Sequence, residues 1–167
     1  MIITVDANFV KEENSTFEGS VAKVYELVME LGREMVRQVL EARDEELMKS
    51  REKKRYRCKG KQKTSIKTRL GVIEFRRNVY MDNSDAEGSR CVHLLDEDLR
   101  IERIGQIAKE VCQAAGELVC ESSYRAAAKA ITENSGLSIS PQGVWNIVQK
   151  LGEMRSRQVE RHTELAQ

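Results

Sequence analysis

A single proline and only ten glycines in 167 residues exclude a collagen-like, linker-rich or broadly disordered chain. No uncharged hydrophobic stretch approaches the length of a bilayer span, so neither a transmembrane helix nor a membrane partner is expected. Four cysteines, Cys58, Cys91, Cys112 and Cys120, are too few and too irregularly spaced for a disulfide framework. The opening MIITVDANFVKEEN has no basic n-region, apolar segment or small-residue cleavage site, which places the chain in the cytoplasm with its thiols reduced. A glycine-rich phosphate loop, a nucleophile elbow and a metal-binding His/Glu helix are all missing, so no catalytic residue and no cofactor is assigned. What is present, 40% hydrophobic and 33% charged residues, suffices for one modest core or two small ones.

The net charge of +1 conceals a strong segmentation. Residues 1–50 hold 6 Lys/Arg against 11 Asp/Glu, residues 51–80 hold 12 against 2, and residues 81–167 hold 10 against 14. A cationic block between two acidic flanks points to a module that binds a polyanion.

The periodicity predicts an α+β protein, mainly helical, in three parts: an N-terminal amphipathic helix within 1–50, a basic β segment over 51–95 and a helical unit over 96–167. From Glu18 to about Lys49, Val21, Val24, Val28, Leu31, Met35, Val39 and Ala42 recur at three- and four-residue steps, broadened by Leu27, Val36, Leu40 and Leu47. Lys23, Glu26, Glu30, Arg33, Glu34, Arg37 and Glu41 occupy the opposite side. So wide a stripe needs a partner surface, either the rest of the chain or a second subunit, which makes a homodimer through helix 18–49 an expectation.

Beyond it the period changes to two, with strands expected over 64–69 and 72–81, paired antiparallel around Leu70-Gly71. A further short strand is expected near Arg55–Lys59, turning at Lys59-Gly60-Lys61. A loop follows over Asp82–Ser89, then a short strand over Cys91–Leu95. Helical spacing returns through Leu99, Ile104, Ile107, Val111, Ala115 and Leu118 to about Val119. A second helix starts after Ser122 or Ser123 as N-cap and stops at Asn134-Ser135-Gly136. A third is capped by Ser140 with Pro141 at its first position, burying Val144, Trp145, Val148 and Leu151 and continuing in polar sequence beyond Gly152.

Those last two helices have the arrangement of a helix-turn-helix, although a connection of about six residues is longer than usual and such a pair also serves as plain core. On that reading Gln142, Asn146 and Gln149 face outward to base edges, Gly143 allows close approach, and Arg125 and Lys129 meet phosphates. In the basic segment, Arg55, Arg57, Lys59, Lys61, Lys63, Lys67, Arg69, Arg76 and Arg77 interleave with apolar residues, so folding gathers them on a small β surface able to grip a phosphate backbone. The bland alternative is a solvated face. Cys58, Cys91 and His93 have the donors of a zinc site but neither a C-x-x-C pair nor a fourth ligand, and packing or exposure suits them better. Asp96, Glu97 and Asp98, consecutive at a helix start, suit capping and dipole compensation rather than metal binding.

Four pieces in order carry a family resemblance: Thr68-Arg69-Leu70-Gly71-Val72-Ile73-Glu74-Phe75-Arg76-Arg77-Asn78-Val79-Tyr80, then Leu94-Leu95-Asp96-Glu97, then Ser123-Tyr124-Arg125-Ala126-Ala127-Ala128-Lys129, then Ile139-Ser140-Pro141-Gln142-Gly143-Val144-Trp145-Asn146. From about residue 20 the chain resembles the N-terminal part of the ISLre-type insertion-sequence transposases. The resemblance implies a bacterial mobile-element protein that recognises element ends in double-stranded DNA. It also implies a later RNase H-like core, in which three carboxylates hold two metal ions. No carboxylate here is assigned to that set, so the chain is expected to be a fragment, a truncated product or a separately encoded half. It should bind DNA without transferring strands, its catalytic part lying downstream or supplied in trans. The competing expectations are a stand-alone helix-turn-helix transcriptional regulator and a scaffold that does not bind DNA.

Overall fold

The computed structural model describes residues 16–84 and 90–165, with side chains as far as residue 157. The chain runs α1 (Phe17–Ser50), β1 (Tyr56–Thr68), β2 (Gly71–Asp82), β3 (Arg90–Val92), α2 (Leu94–Asp98), β4 (Arg103–Ile104), β5 (Ile107–Ala108), α3 (Lys109–Glu121), α4 (Tyr124–Asn134) and α5 (Pro141–Leu165). It is an α+β fold with a long N-terminal helix, a small mixed sheet and a helical C-terminal part. The sheet order is β3-β2-β1-β5-β4, with β1 and β5 parallel and the other pairs antiparallel.

Helix α1 begins where the Thr16 hydroxyl accepts from the Gly19 N–H at 3.1 Å, satisfying one of the orphan donors of the first turn. Its orientation is the reverse of a simple amphipathic reading. Only Leu40, with Val36 and Leu47 at its margins, joins Ile66, Ile73, Phe75, Leu95 and Ala108 in one core. Phe17, Val21, Val24, Tyr25, Val28, Met35 and Val39 remain exposed. The charged side instead serves the sheet. Strand β3 pairs with β2 only over Tyr80–Asp82, which leaves the preceding stretch of β2 without a strand neighbour on the edge away from β1. There Glu41 accepts from the Arg76 N–H at 2.9 Å, and Asp44 accepts from the Asn78 N–H at 2.9 Å and its Nδ2 at 2.7 Å. Two helix carboxylates thus stand in for the missing strand and blunt an open edge.

Burial has a measurable consequence at Asp44. Desolvation pushes its carboxyl pKa up, against the opposing pull of its bonds to Asn78 and of Lys61 and Arg77. A carboxyl whose folded pKa is raised stabilises the fold fully below the ordinary carboxylate range and loses that contribution as pH rises through the raised value. Asp44→Asn keeps an acceptor for Asn78 and removes the titration. Its urea midpoint should therefore gain on that of the wild type as pH climbs from the acid range to neutrality. Parallel midpoint curves for the two proteins would contradict this.

Strands β1 and β2 form one long hairpin, so the separate strand and the turn at Lys59-Gly60-Lys61 expected from the sequence are replaced by continuous β1. The register shifts between Cys58 and Gly60 and φ at Gly60 is +122°: the glycine makes a bulge rather than a reversal. The reversal lies at Arg69-Leu70. Neither residue has positive φ; Gly71, at +106°, carries the left-handed conformation, and the Thr68 hydroxyl bonds both the Leu70 N–H and the Gly71 carbonyl. Of the loop expected over Asp82–Ser89, Asp82 ends β2, Asn83 and Ser84 are irregular, and the rest lies outside the described residues. The strand expected over Cys91–Leu95 stops at Val92, and Leu94-Leu95 open α2.

The expected helix from Leu99 begins only at Lys109, because Arg103–Ala108 fold into a hairpin that adds β5 to β1. Helices α3, α4 and α5 then bury a second core of Val111, Cys112, Ala115, Ala127, Ala128, Ile131, Leu137, Val144 and Ile147. Ser123 caps α4 through a bond from the Ala126 N–H, and Ser140 caps α5 through one from the Gly143 N–H. No helix among the described residues is long and apolar enough to cross a membrane.

Candidate nucleic-acid interface

The first turns of α5 divide into two faces. Val144 and Ile147 are buried and Leu151 half-buried, while Gln142, Asn146 and Gln149, at steps of four and three, are exposed. Ile147 takes the buried place expected of Trp145, which is 43% exposed beside the polar face because one residue along a helix turns its side chain by about 100°. Gln142 Nε2 donates to Asn146 Oδ1 at 3.2 Å. The pair holds two otherwise mobile amides together and leaves an Asn146 donor and a Gln142 acceptor for a ligand, a set that matches the N7 acceptor and N6 donor of adenine. Glu153 follows on the same face, so its neutral part ends one turn beyond Gln149. Gly143 lies against its own turn, where a β-carbon would come 3.1 Å from Ile139 Cγ1; tight packing accounts for it without close approach to a ligand.

On the preceding helix, Arg125 is exposed, and Lys129 is exposed with Glu133 at 3.6 Å, a pair too open to neutralise it.

The β1–β2 register sorts the basic segment. Lys61, Lys63 and Lys67 stand opposite Asn78, Arg76 and Val72, and directly opposed residues share a face. Lys63 opposite Arg76 sets like charges together, an unfavourable pairing that Glu74 relieves from one side at 2.6 Å from Lys63. Lys61 lies 3.3 Å from Glu45. Arg55 clamps Asp82 through Nε and Nη2 and stacks over Tyr56, and its hydrogen bond holds the Asp82 carboxyl well below the usual carboxylate range. Arg57, Lys59, Lys67, Arg69 and Arg76 have no carboxylate partner for their side chains among the described residues; Lys67 is half-buried and the other four exposed.

Arg77 does not belong to that surface. It is 4% exposed and in charge contact with Asp96, which Arg103 approaches at 3.3 Å from its other oxygen. Its neighbours Ile73 and Phe75 explain why: residues two apart on a strand share a face, and theirs is the core. The acidic triplet is likewise used across elements rather than for helix capping alone, Asp98 accepting from Arg43 Nε and Nη2 at 2.8 and 2.9 Å. Cys58 bonds Asn78 Oδ1, Cys91 is exposed and the His93 ring meets the Asn78 carbonyl at 3.4 Å; no metal-ligand cluster occurs among the described residues.

One contact ties the hairpin to the helix pair. The Gly136 N–H donates to the Arg69 carbonyl at 3.3 Å, and Arg33 Nη1 on α1 bonds the Leu70 carbonyl at 2.9 Å. Arg69 is thereby fixed beside the turn that leads into α5. The sequence pattern does not single out Trp145 as a surface residue, nor Lys150 and Arg157, exposed further along α5. A helical wheel extended past Gln149 was the available signal.

Among curated proteins the chain is similar to a UPF0236 protein of Caldanaerobacter subterraneus subsp. tengcongensis, with 31% identity over 159 residues covering 88% of this chain and 32% of the relative. UPF0236 protein TTE2489 of the same organism is 33% identical over 136 residues, 80% of this chain and 28% of its own. The chain thus spans about a third of the length of the curated relatives it matches. No solved structure matches it. The family model described as Uncharacterised protein family (UPF0236) matches residues 10–167, and the chain belongs to that family.

Proposed function

We propose that this chain is a DNA-binding region of a mobile-element protein, an insertion-sequence transposase of the ISLre type, which recognises element ends in duplex DNA in the cytoplasm. The observation that carries the reading is the face of α5: three exposed amide side chains on a helix whose opposite side is locked into a three-helix core and whose first turn is capped. The five cations without carboxylate partners, together with Arg125 and Lys129, supply the sequence-independent grip on phosphates. The relatives add support, since the name of one joins eleven loci of one genome, the multiplicity expected of a gene that copies or moves itself. On this reading strand transfer belongs to sequence outside the shared third, in the same polypeptide or in trans.

Fluorescence anisotropy with labelled duplexes over a salt series tests the proposal. Binding should weaken steeply with salt. Asn146→Ala should cost about 1–3 kcal/mol of discrimination between preferred and random duplexes. Arg76→Ala should weaken every duplex alike and reduce the salt slope by about one. Lys61→Ala should do the same to a smaller degree, because Glu45 already offsets its charge. Absence of binding at low salt would refute the reading, and equal effects of Asn146→Ala on all duplexes would remove base recognition from it.

A further inference from the structure

Helix α1 shows its sheet a charged side and shows solvent an apolar one. From Lys23 to Glu41 every charged side chain falls within an arc of about 100° when residues are placed at 100° steps. The other half of the surface carries no charge between Gly19 and Ala42. Along it Val21, Val24, Val28, Leu31 and Met35 alternate steps of three and four, the 3.5-residue period of a coiled-coil seam. The first positions of the repeat are Val21, Val28 and Met35 and the fourth are Val24 and Leu31, and β-branched residues at the first position suit a two-stranded seam.

We infer that this stripe is a self-association surface on which α1 of a second copy of the chain packs. The extent is adequate: Phe17, Val21, Val24, Val28, Met35 and Val39 keep 41–80% of their surface in solvent, a run of large apolar side chains along about six helical turns, the scale on which a specific interface burying about 800 Å² per partner is built. The chemistry is self-complementary. A seam without charges accepts a surface without charges, whereas a charged partner would bury its ions unpaired. Nothing else on the described surface offers such a strip, because the remaining exposed large apolar residues, Val72, Leu99, Trp145 and Met154, are scattered over β2, the loop after α2 and α5. The inference does not depend on DNA binding.

The test is sedimentation equilibrium of the whole chain at tens of micromolar, without DNA and under reducing conditions so that the exposed Cys91 and Cys120 cannot crosslink copies. The wild type should have twice the 19.1 kDa mass of the chain. Val21→Glu with Val28→Glu, both at exposed helix positions where glutamate is a better helix former than valine, should keep the wild-type circular dichroism. That double variant should need a roughly 100-fold higher concentration to associate. Glu26→Gln, on the charged side, should leave the wild-type mass unchanged. A monomeric wild type, including one whose stripe is covered by other parts of the longer relatives, overturns the inference, as does a double variant that associates like the wild type.

Discussion

Alanine at Gly71 should lower the unfolding temperature by about 5–15 °C, from a loss of about 2–4 kcal/mol in a domain of this size. Two effects combine there. The φ of +106° is one that an L side chain rarely adopts, and an added β-carbon would sit 2.8 Å from the Gly136 carbonyl oxygen. The contact is reciprocal, since a β-carbon on Gly136 would sit 2.9 Å from the Leu70 carbonyl oxygen. Both neighbours are backbone, so no side chain can swing aside; either the hairpin or the α4–α5 turn must move. Gly136→Ala carries the clash without the positive φ, and its loss should be the smaller of the two. Gly60→Ala isolates the other component, because φ is +122° and nothing lies within 4 Å. Thermal melts of the three variants order these contributions. Melts within a degree of the wild type at both Gly71 and Gly136 would show that the hairpin is not pressed against the helix pair as described. Displacement of Arg69 from the turn before α5 should accompany the destabilisation, so duplex affinity is a second readout.

The sequence made legible what depends on local periodicity and local caps. The bounds of α1, the Ser123 and Ser140 caps and the outward turn of Gln142, Asn146 and Gln149 all follow from residues within two turns of one another. The errors have equally specific causes. Ile104 and Ile107 are three apart, which on a helix places them on one side; flanking the two-residue tip Gly105-Gln106 they are instead cross-strand partners on one side of a hairpin. The same spacing serves both geometries, and the only discriminating residue was Gly105. Trp145 reads as core because it is large and apolar, yet Val144 and Ile147, three apart, already define the buried side. For α1, periodicity locates a stripe but cannot say whether the core or the solvent takes it. That choice was made by the free N–H groups of β2, which require acceptors such as Glu41 and Asp44 and lie more than thirty residues away.

For Arg77 the sequence carries its signal in strand parity rather than in charge, and its substitution should be as damaging as that of Gly71. Paired in sequence with Arg76 it reads as a surface cation, but its parity with Ile73 and Phe75 places it inside. Buried, it joins β2 to α2 through Asp96 and, through the other oxygen of that carboxylate, to Arg103 at the start of β4. Removing one member of a buried ion pair strands the other, at a cost of about 3–5 kcal/mol. Arg77→Ala should approach that loss, moderated because Arg103 still faces Asp96. Arg77→Met, which refills much of the volume, should lose less, and Arg77→Met combined with Asp96→Leu should recover part of the difference by removing a carboxylate left with Arg103 as its one partner, Arg103 itself staying partly solvated. Denaturant titration of the three proteins measures this directly. Arg77→Ala should also leave the salt slope of duplex binding unchanged under conditions where it is fully folded, whereas Arg76→Ala, its neighbour on the opposite face, reduces the slope while sparing stability. If the two neighbours exchanged those phenotypes, the strand would be presenting the other face to solvent and the proposed cationic surface would have to be rebuilt around Arg77.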